Sequence, residues 1–175
     1  MKIGSIIVAV GFAVLVLVSA AAAQTTLKLV PRENSEVELA LGKRSVIFDL
    51  DDALTGTNGV LPGNPPHRYR VLFTAAKGDL FYLVANVRSS SPITNPMAPC
   101  GGDSPQSILW IKADKTLKTR EIRSEIYASC SYNYYDSKLV LAKNGLVARY
   151  GGSQKLELKY DNREPDKGLV LEKKQ

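Results

Sequence analysis

The chain has 175 residues, of which 23 are Lys or Arg and 17 are Asp or Glu, so its formal net charge at pH 7 is +6. This length is typical of one domain, which can bury enough surface to fold without a metal or many disulfides. The basic residues are dispersed, with no run of five or six like charges, so the mild positive charge favours anionic partners only weakly and is also explained by simple solubility.

The first element in the chain is an export signal. Lys2 is followed by an apolar run from Ile6 to Val18 and by small residues that end at Ala23. A basic start, an apolar centre and an A-x-A-like end are the three parts of a secretory signal peptide. We therefore expect a signal peptide over residues 1–23 and a mature domain over residues 24–175.

The alternative for this segment is an uncut membrane anchor, but no basic stop-transfer cluster follows Gln24. We expect a secreted or periplasmic protein with no stable membrane insertion after cleavage. The short basic start and the alanine-rich exit favour a bacterial source.

Short strands dominate the rest of the sequence. Runs rich in β-branched and aromatic residues, several of them alternating apolar with polar, are bounded by turn signals, which is typical of strands. They predict an all-β domain, an antiparallel sandwich or barrel of about ten strands, with no amphipathic helix. The polar, proline-containing stretches 51–68 and 89–106 are expected to be long loops. The expected strands cover 25–30, 36–41, 45–50, 69–74, 80–87, 107–112, 117–128, 139–143, 146–150, 155–160 and 168–172.

Two patterns make specific predictions about pairing. Asn144-Gly145 separates two apolar runs and predicts a hairpin with a type I′ turn, whose two central residues need positive φ. Residues 119–130 alternate strictly, so one face is expected to be a solvated, charged surface formed by Thr119, Glu121, Arg123, Glu125 and Tyr127. The opposite face is expected to hold Ile122, Ser124, Ile126, Ala128 and Cys130.

The two cysteines predict one structural disulfide. Outside the cytoplasm an even pair of cysteines normally forms a bridge. Residues 107–112 and 117–128 are expected to form a hairpin centred near residue 115, and Cys100 and Cys130 lie at equal distances from that centre. Both thus fall at the open end of the hairpin, where their Cα atoms can reach bonding distance. A redox pair would normally have the spacing C-x-x-C, which is absent.

The richest candidate surface is aromatic. Four tyrosines lie within nine residues, and Trp110 belongs to the partner strand; the tyrosines are Tyr127, Tyr132, Tyr134 and Tyr135. Tyrosine offers a flat apolar ring with a polar tip, which suits sugar stacking and protein interfaces. The alternative is that these rings cap the core beside the disulfide. Arg68 and Arg70, with Tyr69 between them, are a second candidate, for an anionic ligand.

Catalytic and metal motifs are weak. His67 is the single histidine and has no G-x-S-x-G nucleophile motif to serve. Asp49, Asp51 and Asp52 fail the EF-hand pattern and are better explained as a polar turn. Glu121 and Glu125 could act as a glycosidase pair, although Arg123 between them favours an ordinary charged face. We expect no metal and no cofactor.

These observations lead to three hypotheses about function. The first is an exported, non-enzymatic domain that binds a protein partner, such as an inhibitor or an accessory subunit. The second is a module that binds carbohydrate or an envelope polymer through the tyrosines. The third is a hydrolase with no recognisable motif. We expect no nucleic-acid partner.

Overall fold

The structure is a computed structural model, and it describes residues 25–33, 35–54, 66–89, 100, 104–118, 120–153 and 155–173. The predicted signal peptide lies outside the described residues, as do most of the two long polar stretches. The described chain forms three antiparallel sheets, so the predicted all-β class is confirmed. The finer choice between a sandwich and a barrel stays a prediction.

The first sheet is a meander of three strands, β1 (Leu27–Pro31), β2 (Glu36–Leu41) and β3 (Arg44–Asp49). A helical turn, α1 (Leu50–Leu54), follows β3 directly. This helix was not predicted. It begins there because the Asp49 carboxylate accepts hydrogen bonds from the backbone N–H groups of Asp51 and Asp52, as a helix N-cap residue does.

The central sheet has four strands in sequence order, β4 (Pro66–Lys77), β5 (Leu80–Ser89), β6 (Gln106–Asp114) and β7 (Arg120–Ala128). β4 begins at Pro66, so His67 and Arg68 lie on a strand and not in the predicted loop. β7 begins three residues later than predicted, because Leu117 adopts a positive φ of 61° in the turn and turns its side chain into the core.

The third sheet contains β8 (Lys138–Ala142), β9 (Gly145–Arg149), β10 (Leu156–Asp161) and β11 (Val170–Lys173), in the order β11-β10-β9-β8. A 3-10 turn at Pro165–Lys167 connects β10 to β11. The predicted hairpin at residues 139–150 forms, but the prediction of a type I′ turn at Asn144-Gly145 is wrong. Ala142 pairs with Gly145, so Lys143 and Asn144 are the turn residues, and neither has positive φ.

Gly145 is a glycine for a different reason. A Cβ atom at this position would lie 2.2 Å from the Tyr160 carbonyl oxygen on the neighbouring strand β10. The residue therefore permits a close approach of two backbones and does not supply a turn conformation.

The central sheet is buried on both faces, and this explains why β5 and β6 are nearly continuous apolar runs. Leu83, Ala85 and Val87 point into a first hydrophobic cluster, which the first sheet and α1 complete. Tyr82 and Val84, on the other face of β5, join a second cluster that the third sheet completes. The chain thus builds two cores, one on each side of a shared sheet.

The predicted disulfide is present. Cys100 and Cys130 are bonded, with their Cα atoms 5.4 Å apart, beyond the end of the β6–β7 hairpin opposite its turn. The alternation predicted for β7 holds as far as Tyr127. A β-bulge then places Ala128 opposite Gln106 while Ile126 is opposite Ser107, so Ala128 moves to the same side of the sheet as Tyr127.

Candidate ligand-binding face

The third sheet covers only part of the second face of the central sheet. Its contacts lie toward the β4–β5 turn, where the rings of Phe73 and Tyr160 are 5.8 Å apart. The Trp110 Nε1–H donates to the Pro165 carbonyl oxygen at 3.1 Å, and Lys77 forms an ion pair with Asp166. Beyond Val84 and Ile108, at the other end of the strands, the same face changes from apolar to polar residues.

Polar side chains gather on this open half because of the strand register. Arg68 pairs with Arg88, Arg88 pairs with Gln106, and Arg70 pairs with Asn86. Cross-strand partners project from the same face of a sheet, so all five side chains share one surface. They line a shallow groove of about 530 Å³, completed by Pro31 and Tyr69.

The groove carries a positive charge that no carboxylate among the described residues compensates by an ion pair. Arg68, Arg70 and Arg88 are exposed, and within the described part of the chain none of them forms an ion pair with a carboxylate. Arg68 and Arg88 are direct cross-strand neighbours, an arrangement that repels and lowers stability. We call these three residues the arginine face.

A small hydrogen-bond network with the buried Tyr127 holds two of the groove's polar side chains, Asn86 and Gln106. The Tyr127 hydroxyl donates to the Gln106 Oε1 at 2.9 Å, and the Asn86 amide donates to the same oxygen at 3.4 Å. This network occupies the oxygen of Gln106, and its amide N–H groups form no side-chain hydrogen bond with another described residue. Burial raises the pKa of Tyr127 to about 12, so this residue keeps its proton at neutral pH.

The tyrosine loop, residues 129–136, leaves the central sheet beside the groove. It starts directly after Ala128, which pairs with Gln106, and Ser129 forms an isolated bridge with Tyr134. The disulfide at Cys130 ties the loop to Cys100. A Cβ atom on Gly151 would lie 1.3 Å from the Tyr135 carbonyl oxygen, so the loop backbone packs directly on this glycine.

A series of aromatic rings connects the core to the surface of this loop. Tyr150, a member of the second cluster, meets Tyr134 edge-on with ring centroids 4.9 Å apart. Tyr134 in turn stacks against Tyr132 at 6.3 Å. Tyr150 follows β9 and belongs to the second cluster, which packs on the second face of the central sheet, so the series places the tyrosine loop on the same side of that sheet as the arginine face.

The structure divides the predicted aromatic cluster. Tyr132 and Tyr135 are exposed, with 43% and 46% of their surface accessible, and Tyr134 is half-buried. Trp110 and Tyr127, at 1% and 2%, are core residues of the second cluster, so their rings are not available to a ligand. Burial removes these two residues from the candidate surface.

The sequence prediction included Arg68 and Arg70 but missed Arg88, Asn86 and Gln106. A signal for them exists on β5. Its even positions run Leu80, Tyr82, Val84, Asn86 and Arg88, and they change from apolar to polar. Its odd positions are apolar from Phe81 to Val87, and only the last one, Ser89, is polar.

The two candidate glycosidase carboxylates, Glu121 and Glu125, do not form a catalytic pair. Along a strand Glu121 and Glu125 are separated by about 13 Å, which exceeds the 5–9.5 Å of glycosidase pairs. Hydrogen bonds from Arg123 and Lys112 hold the pKa of Glu121 below its usual value, while burial raises the pKa of Glu125. Asp49 is used as the helix cap. The side chain of His67 and residues 55–65 lie outside the part of the chain that the structure describes.

Among the described residues no group of three His, Cys, Asp or Glu side chains is arranged to hold a metal ion. No helix in the described ranges combines the length and the apolar character needed to cross a bilayer. No protein-family model matches the chain, and comparisons with curated proteins and with solved structures found no match.

Proposed function

We propose that this protein is an exported, non-enzymatic binding domain that holds an anionic partner on the arginine face. The observation that carries the proposal is the presence of three exposed guanidinium groups on one surface with no carboxylate partner in the described chain. Stability alone would favour neutral residues at these positions, since like charges on paired strands repel. An anion that binds there removes this repulsion.

The chemistry of the groove favours oxyanions. Arginine offers a planar fork of N–H donors that matches carboxylate, sulfate and phosphate groups, often through two parallel hydrogen bonds. The Gln106 amide adds neutral donors to the same surface. A groove that is open and shallow suits a group carried on a larger partner better than a small molecule, which is normally enclosed on most sides.

Export belongs to this proposal as well. The sequence of residues 1–23 favours a secretory signal, and the Cys100–Cys130 disulfide is the kind of bond that persists outside the reducing cytoplasm. We place the protein in the periplasm or the extracellular space of a bacterium. The free edge strands of each sheet, among the strands that the structure describes, support a layered sandwich over a closed barrel.

The proposal can be tested with dextran sulfate and polyglutamate as polyanionic probes and a triple variant, R68Q/R70Q/R88Q. The matched control is K43Q/K138Q/K143Q, which removes the same charge from exposed positions on the other two sheets. We expect the arginine variant to lose at least tenfold in affinity, because hydrogen bonds to charged groups contribute roughly 1.5–3 kcal/mol each. If both variants lose the same affinity, the net charge of the protein and not the arginine face determines binding, and the proposal is contradicted.

A further inference from the structure

We infer that the anionic partner is an acidic polysaccharide, bound with its charged groups on the arginine face and a neutral sugar against Tyr132. This inference rests on the proposed function and specifies the class of ligand. It unites two surfaces that the sequence presented as separate candidates, the arginines of β4 and the tyrosines that follow β7.

The first support is the alignment of the two surfaces. Arg68, Arg88, Gln106 and Ala128 form one continuous row across the four strands of the central sheet. With neighbouring strands about 4.8 Å apart, the row spans roughly 14 Å. It begins with cations, continues with an amide and ends where the tyrosine loop begins. An extended polymer lying along this row would meet charge first and an aromatic ring last.

The second support is the geometry of Tyr132. One side of its ring stacks on Tyr134, and 43% of the residue remains exposed. The loop is held by the disulfide and by the close contact with Gly151, and the Ser137 hydroxyl bridges the Tyr134 carbonyl oxygen and the Gly151 N–H. A fixed aromatic ring with a polar tip can stack on the apolar face of a sugar at little entropic cost.

The third support is the pattern of charge along the surface. The second row of the sheet runs Arg70, Asn86, Ile108 and Glu125, so the same face carries a half-buried carboxyl group on β7, the strand that leads into the tyrosine loop. Glu125 would repel a nucleic acid, which carries a phosphate on every nucleotide. A polysaccharide in which acidic and neutral sugars alternate can place a neutral unit there, with its hydroxyls donating to the carboxylate.

The test compares four probes at equal ionic strength by fluorescence anisotropy. Hyaluronate alternates a uronate with a neutral amino sugar, and chondroitin sulfate adds a sulfate to a similar backbone. Polyglutamate supplies carboxylates without sugars, and oligothymidylate supplies phosphates with bases. We expect one of the two polysaccharides to bind more tightly than polyglutamate and oligothymidylate, and the better of the two identifies carboxylate or sulfate as the preferred group.

Variants separate the two parts of the surface. Arg88→Gln should weaken binding of every polyanion. Tyr132→Ala should weaken binding of the polysaccharide by about 2- to 12-fold, the range of aromatic ring contacts, and should leave polyglutamate binding unchanged. Val140→Ala removes a side chain of similar exposure from the third sheet and serves as the control. The fluorescence of Trp110, the single tryptophan, reports that each variant is folded.

The outcomes distinguish this inference from the proposed function. Equal binding of polyglutamate and the polysaccharides, with no effect of Tyr132→Ala, would overturn the polysaccharide inference and leave the anionic surface standing. Tighter binding of oligothymidylate would also overturn it. Failure of all four probes to bind would contradict the proposed function itself.

Discussion

The two halves of one sheet face carry opposite chemistry. Near the β4–β5 turn the second face of the central sheet presents Tyr82, Val84 and Trp110, and the third sheet covers them. At the other end the same strands present Arg68, Arg70 and Arg88, and the third sheet does not reach them. The backbone geometry is the same in both halves, so the difference reflects what lies against the sheet.

The opposite face of the same strands provides a control for this comparison. The odd positions of β5 stay apolar from Phe81 to Val87 and end in a buried serine, Ser89, because the first sheet and α1 cover that face. The change to Asn86 and Arg88 is therefore not a fraying strand end. It marks a surface that the third sheet does not cover, while the first sheet and α1 pack against the other side. Charged surfaces on a rigid sheet are where binding residues are expected.

The largest effect should come from the covered half. Trp110→Ala removes a buried ring and its hydrogen bond to Pro165, and we expect it to lower the free energy of unfolding by about 3–5 kcal/mol. Urea unfolding followed by circular dichroism measures this loss. Tyr132→Ala, on the open surface, should change stability by less than about 0.5 kcal/mol. A loss below 1 kcal/mol for Trp110→Ala would mean that the third sheet does not pack as described.

The next largest effect concerns the disulfide, which ties the tyrosine loop beside the arginine face to Cys100. The bridge joins residues 30 apart, and closing such a loop stabilises by roughly 3–4 kcal/mol in the chain-entropy model. We expect C100S/C130S to lose this amount in urea unfolding without reductant. Amide hydrogen exchange should also speed up most in the tyrosine loop; uniform acceleration over the whole chain would argue against a local role for the bridge.

On the arginine face we expect a substitution that raises the free energy of unfolding, by less than the previous two lower it. Arg88→Gln removes repulsion with Arg68 and should raise the free energy of unfolding by about 0.5 kcal/mol, while it weakens anion binding. Arg149→Gln is the matched control, since Arg149 pairs with Glu157 at 3.2 Å and its loss should leave stability unchanged or slightly lower. A clear destabilisation by Arg88→Gln would show that this residue has a structural partner.

The smallest effect depends on pH. Burial raises the pKa of Glu125 above its ordinary 4.5, so the folded state disfavours the charged form. The contribution of the uncharged Glu125 carboxyl group to stability is therefore complete below its ordinary pKa. It is lost as the pH rises through the pKa that this group has in the folded state. We expect Glu125→Gln to match the wild type at pH 4 and to be more stable at pH 7 by about 0.5 kcal/mol, a value reduced because water screens a half-exposed group. Thermal unfolding at the two pH values provides the measurement, and equal stability at pH 7 would contradict it.

Local sequence patterns were sufficient to predict those features of the fold that depend on residues close together in the chain. Period-2 alternation located most strands, and the symmetric spacing of Cys100 and Cys130 about the β6–β7 turn located the disulfide. The same reasoning predicted the wrong turn at Asn144-Gly145. A glycine is required at position 145 because the backbone of β10 approaches it closely, and not because the turn needs positive φ there. It also wrongly placed Trp110 on the candidate surface, because no local pattern in the sequence indicates that the third sheet covers this part of β6.

The sequence by itself determined the all-β class, the covalent bridge and the presence of aromatic and basic candidates, because each of these follows from the period, spacing or composition of nearby residues. Only the tertiary structure decided that one sheet is shared by two cores, that the third sheet covers half of its second face, and that Arg88 joins Arg68 and Arg70. Those facts depend on contacts between residues far apart in the chain, and side-chain burial is set by what packs against a strand as much as by the strand itself.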